Sequence, residues 1–117
     1  MFYVDQSSIR QLLLSRETSK GKYMIPAKVT ELFNDARKIV NRFEFEDGAE
    51  TGVHVHEFDY VVVPITGGHF RVEVASGEIK SMDQQAGVSY QGVAGTHHNV
   101  INSSGHAAVF VEIELKT

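Results

Sequence analysis

From residue 48 onward the chain consists of short runs of apolar and β-branched residues separated by turns rich in glycine, serine and threonine. This spacing predicts strands over 52–56, 58–65, 69–74, 79–82, 88–90, 97–102 and 107–115. Many short strands at even spacing, joined by glycine-rich turns, are typical of an all-β sandwich or barrel. We therefore expect an all-β fold.

Residues 29–46 carry two competing patterns. The apolar residues in the first part fit one face of a helix, and the odd-numbered residues from 39 to 45 alternate with mostly polar ones as in a strand. The turn-prone pair Asn34-Asp35 interrupts the helical pattern. We interpret the segment as a strand that ends at the Asp47-Gly48 turn.

Residues 5–14 have a helical pattern, because Ile9, Leu12 and Leu13 share a face and either Asp5 or Ser7 offers a cap. Ten residues make a marginal helix, so the segment is predicted to be either a short helix or an arm lying across the barrel. The length of 117 residues fits one domain over 1–117, with an N-terminal arm or helix over 1–26 and a barrel over 29–116.

The composition argues against several classes of partner and of metal ligand. The chain has a net charge of −4 and no basic cluster, which argues against nucleic acid or an anionic membrane as a partner. It has no cysteine, which excludes disulfides and thiolate ligands. No apolar run has the length of a signal peptide or a membrane span, so a cytoplasmic protein is expected.

Two pairs of histidines carry the candidate chemistry: His54 with His56, and His97 with His98. Residues i and i+2 of a strand project from the same face, so His54 and His56 are predicted to point into one space. A barrel would bring a third imidazole from an opposite wall. Three neutral imidazoles would leave some coordination positions of the metal ion unfilled, a pattern expected of a reactive site.

The segment around the second pair reads G-x5-V-x-G-x2-H-x3-N from Gly87 to Asn102, and the first reads G-x-H-x-H from Gly52. Together they resemble the two motifs of the cupin superfamily, over about residues 48–102. The stretches ETGVHVHEFDYVVVPITGG, AGVSYQGVAGTHHNVIN and FVEIELK resemble small bacterial cupins of the BauB type, which are labelled as β-alanine degradation proteins.

The resemblance implies a double-stranded β-helix, the cupin jelly-roll barrel, with His54, His56 and His98 as ligands of one divalent ion. The metal would be Fe, Mn, Ni or Zn. The glutamate that usually follows the first motif has no match, and Tyr60 has the parity of the two histidines. Tyr60 is thus the predicted inward residue and acid–base candidate, unless a β-bulge turns Asp59 inward instead.

The remaining histidines are expected outside the site: His97 on the opposite face, His69 at a strand start and His106 in a turn. The leading hypothesis is a metal-dependent enzyme of the dioxygenase, isomerase or lyase type, acting on a small polar metabolite. The alternative is a non-catalytic module that binds or senses a small molecule. Family resemblance also implies a homodimer formed through the N-terminal arm.

Overall fold

The structure is a computed structural model that describes residues 24–116. The predicted helix over 5–14 and nearly all of the arm over 1–26 lie outside the described residues. The described part contains nine strands and no helix. They are β1 (Lys28–Asn34), β2 (Lys38–Phe45), β3 (His54–Val55), β4 (Asp59–Pro64), β5 (Gly68–Val74), β6 (Ile79–Gln84), β7 (Tyr90–Gly92), β8 (His97–Asn102) and β9 (Ala108–Leu115).

The strands form two antiparallel sheets, which confirms the all-β expectation. One sheet has the order β1-β2-β9-β4-β7 and the other the order β3-β8-β5-β6. Strands β2, β4 and β9 alternate between buried and half-buried residues, as expected where one sheet face packs on the core. The buried faces of both sheets meet in one cluster of apolar side chains.

The interpretation of 29–46 as strand rather than helix is confirmed, but the single strand is wrong. The chain turns between Asn34 and Lys38, and β1 pairs with β2 as a hairpin. The Asp35 carboxylate accepts hydrogen bonds from the N–H groups of Arg37 at 2.8 Å and Lys38 at 3.0 Å. This aspartate turn reverses the chain where the sequence offered a turn-prone pair.

Four phenylalanines form the aromatic part of the core below the site. Neighbouring rings have centroid separations of 5.2 to 6.3 Å. Each ring is at most 4% exposed, and such pairs stabilise a core beyond the area that they bury. The residues are Phe43, Phe45, Phe70 and Phe110.

Asn102, the last residue of the second motif, holds three chain segments together. It is fully buried, and its Nδ2 donates to the carbonyl oxygens of His106 at 2.8 Å and Glu46 at 3.2 Å. Its Oδ1 accepts from the N–H of Ser104 at 3.1 Å. Asn102 thus fixes the end of β8 by hydrogen bonding.

We expect Asn102→Ala to lower the free energy of unfolding by about 2–4 kcal/mol, because it leaves buried backbone groups without partners. Chemical denaturation monitored by circular dichroism measures this loss. The matched control is Asn34→Ala on the exposed edge of β1, for which a change within about 0.5 kcal/mol is expected. Equal losses in the two variants would contradict this role of Asn102.

Candidate functional site

Three imidazoles converge at one end of the barrel. The antiparallel pairing of β3 with β8 places His54 directly opposite His98, and His56 follows one residue beyond the end of β3. The Nε2 atom of His56 lies 3.2 Å from the Nε2 atoms of both His54 and His98. His54 and His56 are buried, and His98 is half-buried.

These separations suit a shared metal ion. Zinc–imidazole bonds are about 2.0–2.1 Å long, so two ligand nitrogens on one ion lie about 3.0–3.4 Å apart at ordinary coordination angles. The two Nε2 distances of 3.2 Å fall within that range. The three side chains therefore could hold an ion without rearrangement of the backbone.

The hydrogen bonds behind two of the rings place their protons on Nδ1 and direct the Nε2 lone pairs into the cluster. His54 Nδ1 lies 2.8 Å from the carbonyl oxygen of Gly52, an acceptor, so Nδ1 carries the proton and Nε2 does not. His56 Nδ1 lies 2.8 Å from Oε1 of Glu114, and donation to the carboxylate leaves its Nε2 likewise without a proton. Metal-binding histidines are oriented by the same kind of carbonyl and carboxylate partners.

Burial favours the neutral form of these rings. Desolvation is the main cause that lowers the pKa of His54 to about 4 and the pKa of His98 to about 2, and it also lowers the pKa of His56. The neighbouring imidazoles lower the pKa of His54 and His98 further by charge repulsion. Neutral imidazole is the form that binds metal ions.

One sequence-based expectation about this cluster is wrong. The third imidazole was expected from an opposite wall of the barrel, but His98 lies on the strand next to His54 and pairs with it in register. All three histidines therefore come from one edge of the four-stranded sheet. The opposite wall instead supplies carboxyl groups.

Those carboxyl groups, Glu112 and Glu114, were missed in the sequence. Both project from β9 into the barrel, and together with His56 they form a second group of ligand atoms within 4.8 Å of one another. The apolar neighbours Val111 and Ile113 suggest the opposite orientation for this strand. Phe110 could have revealed the true orientation. Alternate residues of a strand share a face, so Glu112 and Glu114 lie on the same face as this core phenylalanine.

The two carboxyl groups lie in a low-dielectric environment. Burial is the main cause that raises the pKa of Glu112 well above its usual range and the pKa of Glu114 to about 7. Glu112 Oε1 and Glu114 Oε2 are both buried. The two carboxyl groups are hydrogen-bonded with each other, so at least one of them carries a proton.

Tyr60 points inward and Asp59 outward. The Tyr60 ring is buried and stacks on the His56 ring, with centroids 3.8 Å apart and an angle of 18° between planes. Its hydroxyl is hydrogen-bonded with Thr96, and burial raises its pKa far above the usual range. The exposed Asp59 carboxylate accepts from the N–H of Ala94 at 2.8 Å. Of the two candidates for the glutamate position, only Tyr60 lies beside the histidines.

The site opens into a small cavity of about 130 Å³ inside the barrel. His54, His98, Tyr60 and Glu112 line one part of it. The other lining side chains are mostly apolar or aromatic, and no lysine or arginine is among them. They are Phe43, Thr51, Val62, Val72, Met82, Tyr90, Val100 and Phe110.

The other histidines stay outside this cavity. His97 is exposed on the outer face of β8, as its parity predicted. The exposed ring of His69 bonds through Nδ1 to the Asp83 carboxylate at 2.6 Å. His106 is exposed and bonds through Nδ1 to the carbonyl oxygen of Ala107.

Comparison with known proteins identifies the family. Over 83 residues the chain is 47% identical to the β-alanine degradation protein BauB of Pseudomonas aeruginosa, covering 71% of this chain and 86% of that protein. A cupin domain from Bordetella pertussis Tohama I is 41% identical, with a TM-score of 0.78 over 83% of this chain and 100% of that one. The chain is a cupin. The resemblance to BauB-type cupins and the double-stranded β-helix fold are thereby confirmed.

More distant structures share the fold alone. The polyketide cyclase RemF from Streptomyces resistomycificus matches with a TM-score of 0.60 at 17% identity, over 80% of this cupin and 70% of that chain. No family model matches the sequence. The part of this cupin that the structure describes has no helix with the length and apolar character needed to cross a bilayer.

The position of Tyr60 depends on a glycine across the strand pair. Tyr60 pairs with Gly92 of β7, and a Cβ atom on Gly92 would overlap the tyrosine ring. We expect Gly92→Ala to destabilise the fold by about 1–3 kcal/mol through overpacking. A double-mutant cycle on the free energy of unfolding measures the coupling, since Tyr60→Leu removes the overlapping ring atoms. If Gly92→Ala lowers the free energy of unfolding equally in the wild type and in the Tyr60→Leu variant, the contact is refuted.

Proposed function

We propose that this cupin binds one divalent metal ion through the Nε2 atoms of His54, His56 and His98, and that it acts there on a small polar metabolite. The supporting observation is the convergence of three Nε2 atoms at 3.2 Å contacts, with the Nδ1 atoms of His54 and His56 engaged behind them. In the absence of a cation, the lone pairs of these nitrogens would face one another in a buried space.

The ligand set suits Fe, Mn, Ni or Zn, since imidazole binds all of them and affinity depends strongly on metal availability. When bound, such an ion supplies Lewis acidity or, as Fe(II), a place for O₂. The chain itself supplies a largely apolar cavity, the orientation of the imidazoles by Gly52 and Glu114, and proton-bearing groups at the edge of the site. The reaction class is thus a dioxygenase, isomerase or lyase.

The cavity favours a small metabolite. An engineered protein cavity of about 150 Å³ accommodates benzene, with six non-hydrogen atoms. The volume here is about 130 Å³, which favours a molecule of similar or smaller size. The β-alanine degradation in the name of the Pseudomonas relative fits this limit, because three-carbon amino acids and semialdehydes have six non-hydrogen atoms. We propose a metabolite of that class.

Tyr60 is the acid–base residue that we propose for this site. The buried phenol is protonated at neutral pH, so its role is to donate rather than to accept a proton. Stacking on His56 also fixes the plane of that ring. A homodimer and a cytoplasmic location stay predictions from the sequence.

One observation favours the alternative of a non-catalytic binding or sensing module. The Tyr60 hydroxyl is hydrogen-bonded with Thr96, and Tyr60 replaces the glutamate of the first motif. A phenol is a poorer base than the carboxylate it replaces, so the site is better suited to hold a ligand than to move its protons.

Removal of a histidine tests the metal site. We expect wild-type protein to contain about one divalent ion per chain, measured by mass spectrometry of the metal after dialysis. Loss of a residue that only orients a metal ligand lowers metal affinity about 10- to 100-fold. His54→Ala and His98→Ala each remove a ligand itself, so we expect a larger loss of metal affinity. His97→Ala, which changes the outward neighbour of His98, is the control and should retain the metal. Full metal occupancy in both site variants would rule out this centre.

Turnover separates the enzyme from the binding module. With Fe(II)-loaded and Zn-loaded protein, we expect consumption of O₂ or conversion of a three-carbon amino acid or aldehyde, followed by oxygen electrode and mass spectrometry. The same protein with Tyr60→Phe should keep its metal and lose turnover by about 100-fold, the low end of general acid catalysis. Tight ligand binding without turnover on any metal would favour the module.

A further inference from the structure

The outer face of the five-stranded sheet carries apolar side chains on its three central strands. In one row across these strands, Val40 of β2 pairs with Ile113 of β9, and Ile113 pairs with Val61 of β4. In the next row, Val111 of β9 pairs with Val63 of β4. Directly opposed residues of neighbouring strands point to the same side of a sheet, so these side chains form one continuous patch. We call this patch the outer apolar face, and its residues are Val40, Val61, Val63, Val109, Val111 and Ile113.

The outer face of the four-stranded sheet has the opposite character. There His69 pairs with Asp83, and both side chains are exposed. Arg71 pairs with Ser81, and these two are exposed as well. A polar outer face is the usual arrangement for an antiparallel sheet whose other face packs on the core. The need to build a core therefore does not explain the outer apolar face of the five-stranded sheet.

The outer apolar face has the size of a protein contact. Five strands about 4.8 Å apart, with about eight residues of 3.4 Å rise, give a sheet face of about 650 Å². Each partner buries about 800 Å² in a standard protein–protein interface, which is of the same order. Three exposed side chains, Phe33, Ile65 and Leu115, continue the patch at its rim. Exposed apolar patches of this extent mark interaction sites.

Among the described strands none covers the outer apolar face, because the four-stranded sheet packs against the inner side of the same strands. That inner side carries Tyr60 on β4 and Glu114 on β9. A partner bound to the outer apolar face would thus lie directly behind one wall of the histidine site.

The charged residues beside this patch fit a second copy of the chain. Lys38 lies at the start of β2 and Glu44 near its end, and both project to the outer side, since they pair with Leu115 and Val109. A two-fold axis at right angles to the strands lays β2 of one copy on the reversed β2 of the other. Each Lys38 then meets the Glu44 of the other copy. The contact is self-complementary, as a two-fold homodimer requires.

We propose that the outer apolar face is the contact surface of a homodimer, in which two copies pack sheet against sheet with their strands antiparallel. The valines of β4 and β9 form the apolar centre of this contact, and the charges of β2 form part of its rim. The sequence predicted a homodimer through the N-terminal arm, whereas this inference assigns the contact to the five-stranded sheet. It does not depend on the proposed metal site.

A lysine at the centre of the patch tests the contact. Light scattering and sedimentation of the full chain should give the mass of a dimer for the wild type. Val111→Lys buries one charge from each copy at the centre, so we expect the dimer dissociation constant to rise at least about 100-fold. Ile79→Lys, at an exposed isoleucine on the outer face of the other sheet, is the control and should keep the wild-type constant. Circular dichroism verifies the fold of each variant.

Charge reversal tests the arrangement of the two copies and leaves the valines in place. Lys38→Glu brings like charges together at both ends of the contact, so it should weaken the dimer about three- to tenfold, as expected for two exposed ion pairs. Adding Glu44→Lys places opposite charges together again and should restore the dissociation constant to within about twofold of the wild type.

A wild-type chain that is monomeric at every concentration would overturn the proposal, and residues 1–23 of the same chain would then be the candidate cover for the patch. A dimer that persists unchanged in folded Val111→Lys would place the contact elsewhere and also overturn it. If Val111→Lys does not fold, the charge variants decide, and an unchanged constant in Lys38→Glu overturns the proposal. Weakening that Glu44→Lys does not reverse would overturn the antiparallel arrangement.

Discussion

The register between β3 and β8 is the constraint on which the site depends. These strands pair His54 with His98, and a shift by one residue would turn Val55 and His97 toward the cavity instead. Strand β3 has only two residues, so its own ladder is too short to secure that register. Thr51 and Asn99 add to it: the Thr51 N–H donates to the Val100 carbonyl, and Asn99 Oδ1 accepts from the Gly52 N–H at 2.9 Å.

The second constraint is the contact between the two sheets through His56. Its Nδ1 bonds to Glu114 on β9, while its Nε2 meets the histidines of the other sheet. Removing one partner of this buried hydrogen bond would leave a polar group unpaired in the core, at a cost of about 1–3 kcal/mol. The phenylalanine core below and the hydrogen bonds of Asn102 offset the polar groups that the site introduces.

Much of this molecule follows from local patterns. Period-2 alternation and glycine-rich turns predict the strands from β4 onward. Strand parity correctly predicts that Tyr60 points inward and His97 outward. The hairpin of β1 and β2 was missed because an aspartate side chain, not a glycine, makes its turn. The neighbouring position of His98 and the inward glutamates of β9 depend on strand pairing, which one sequence does not state. In β9 both faces are partly apolar, so hydrophobicity could not assign Glu112 and Glu114 to a side.

Anomalous diffraction at the absorption edge of the bound metal tests the central claim most directly. Crystals of protein loaded with Zn or Fe should show one peak between the three imidazoles, about 2.0–2.2 Å from each Nε2 atom of His54, His56 and His98. Glu114 should remain on Nδ1 of His56 in the same map. A peak bound by only one of these imidazoles, or by the carboxyl groups of β9 without His54 and His98, would contradict the three-histidine centre.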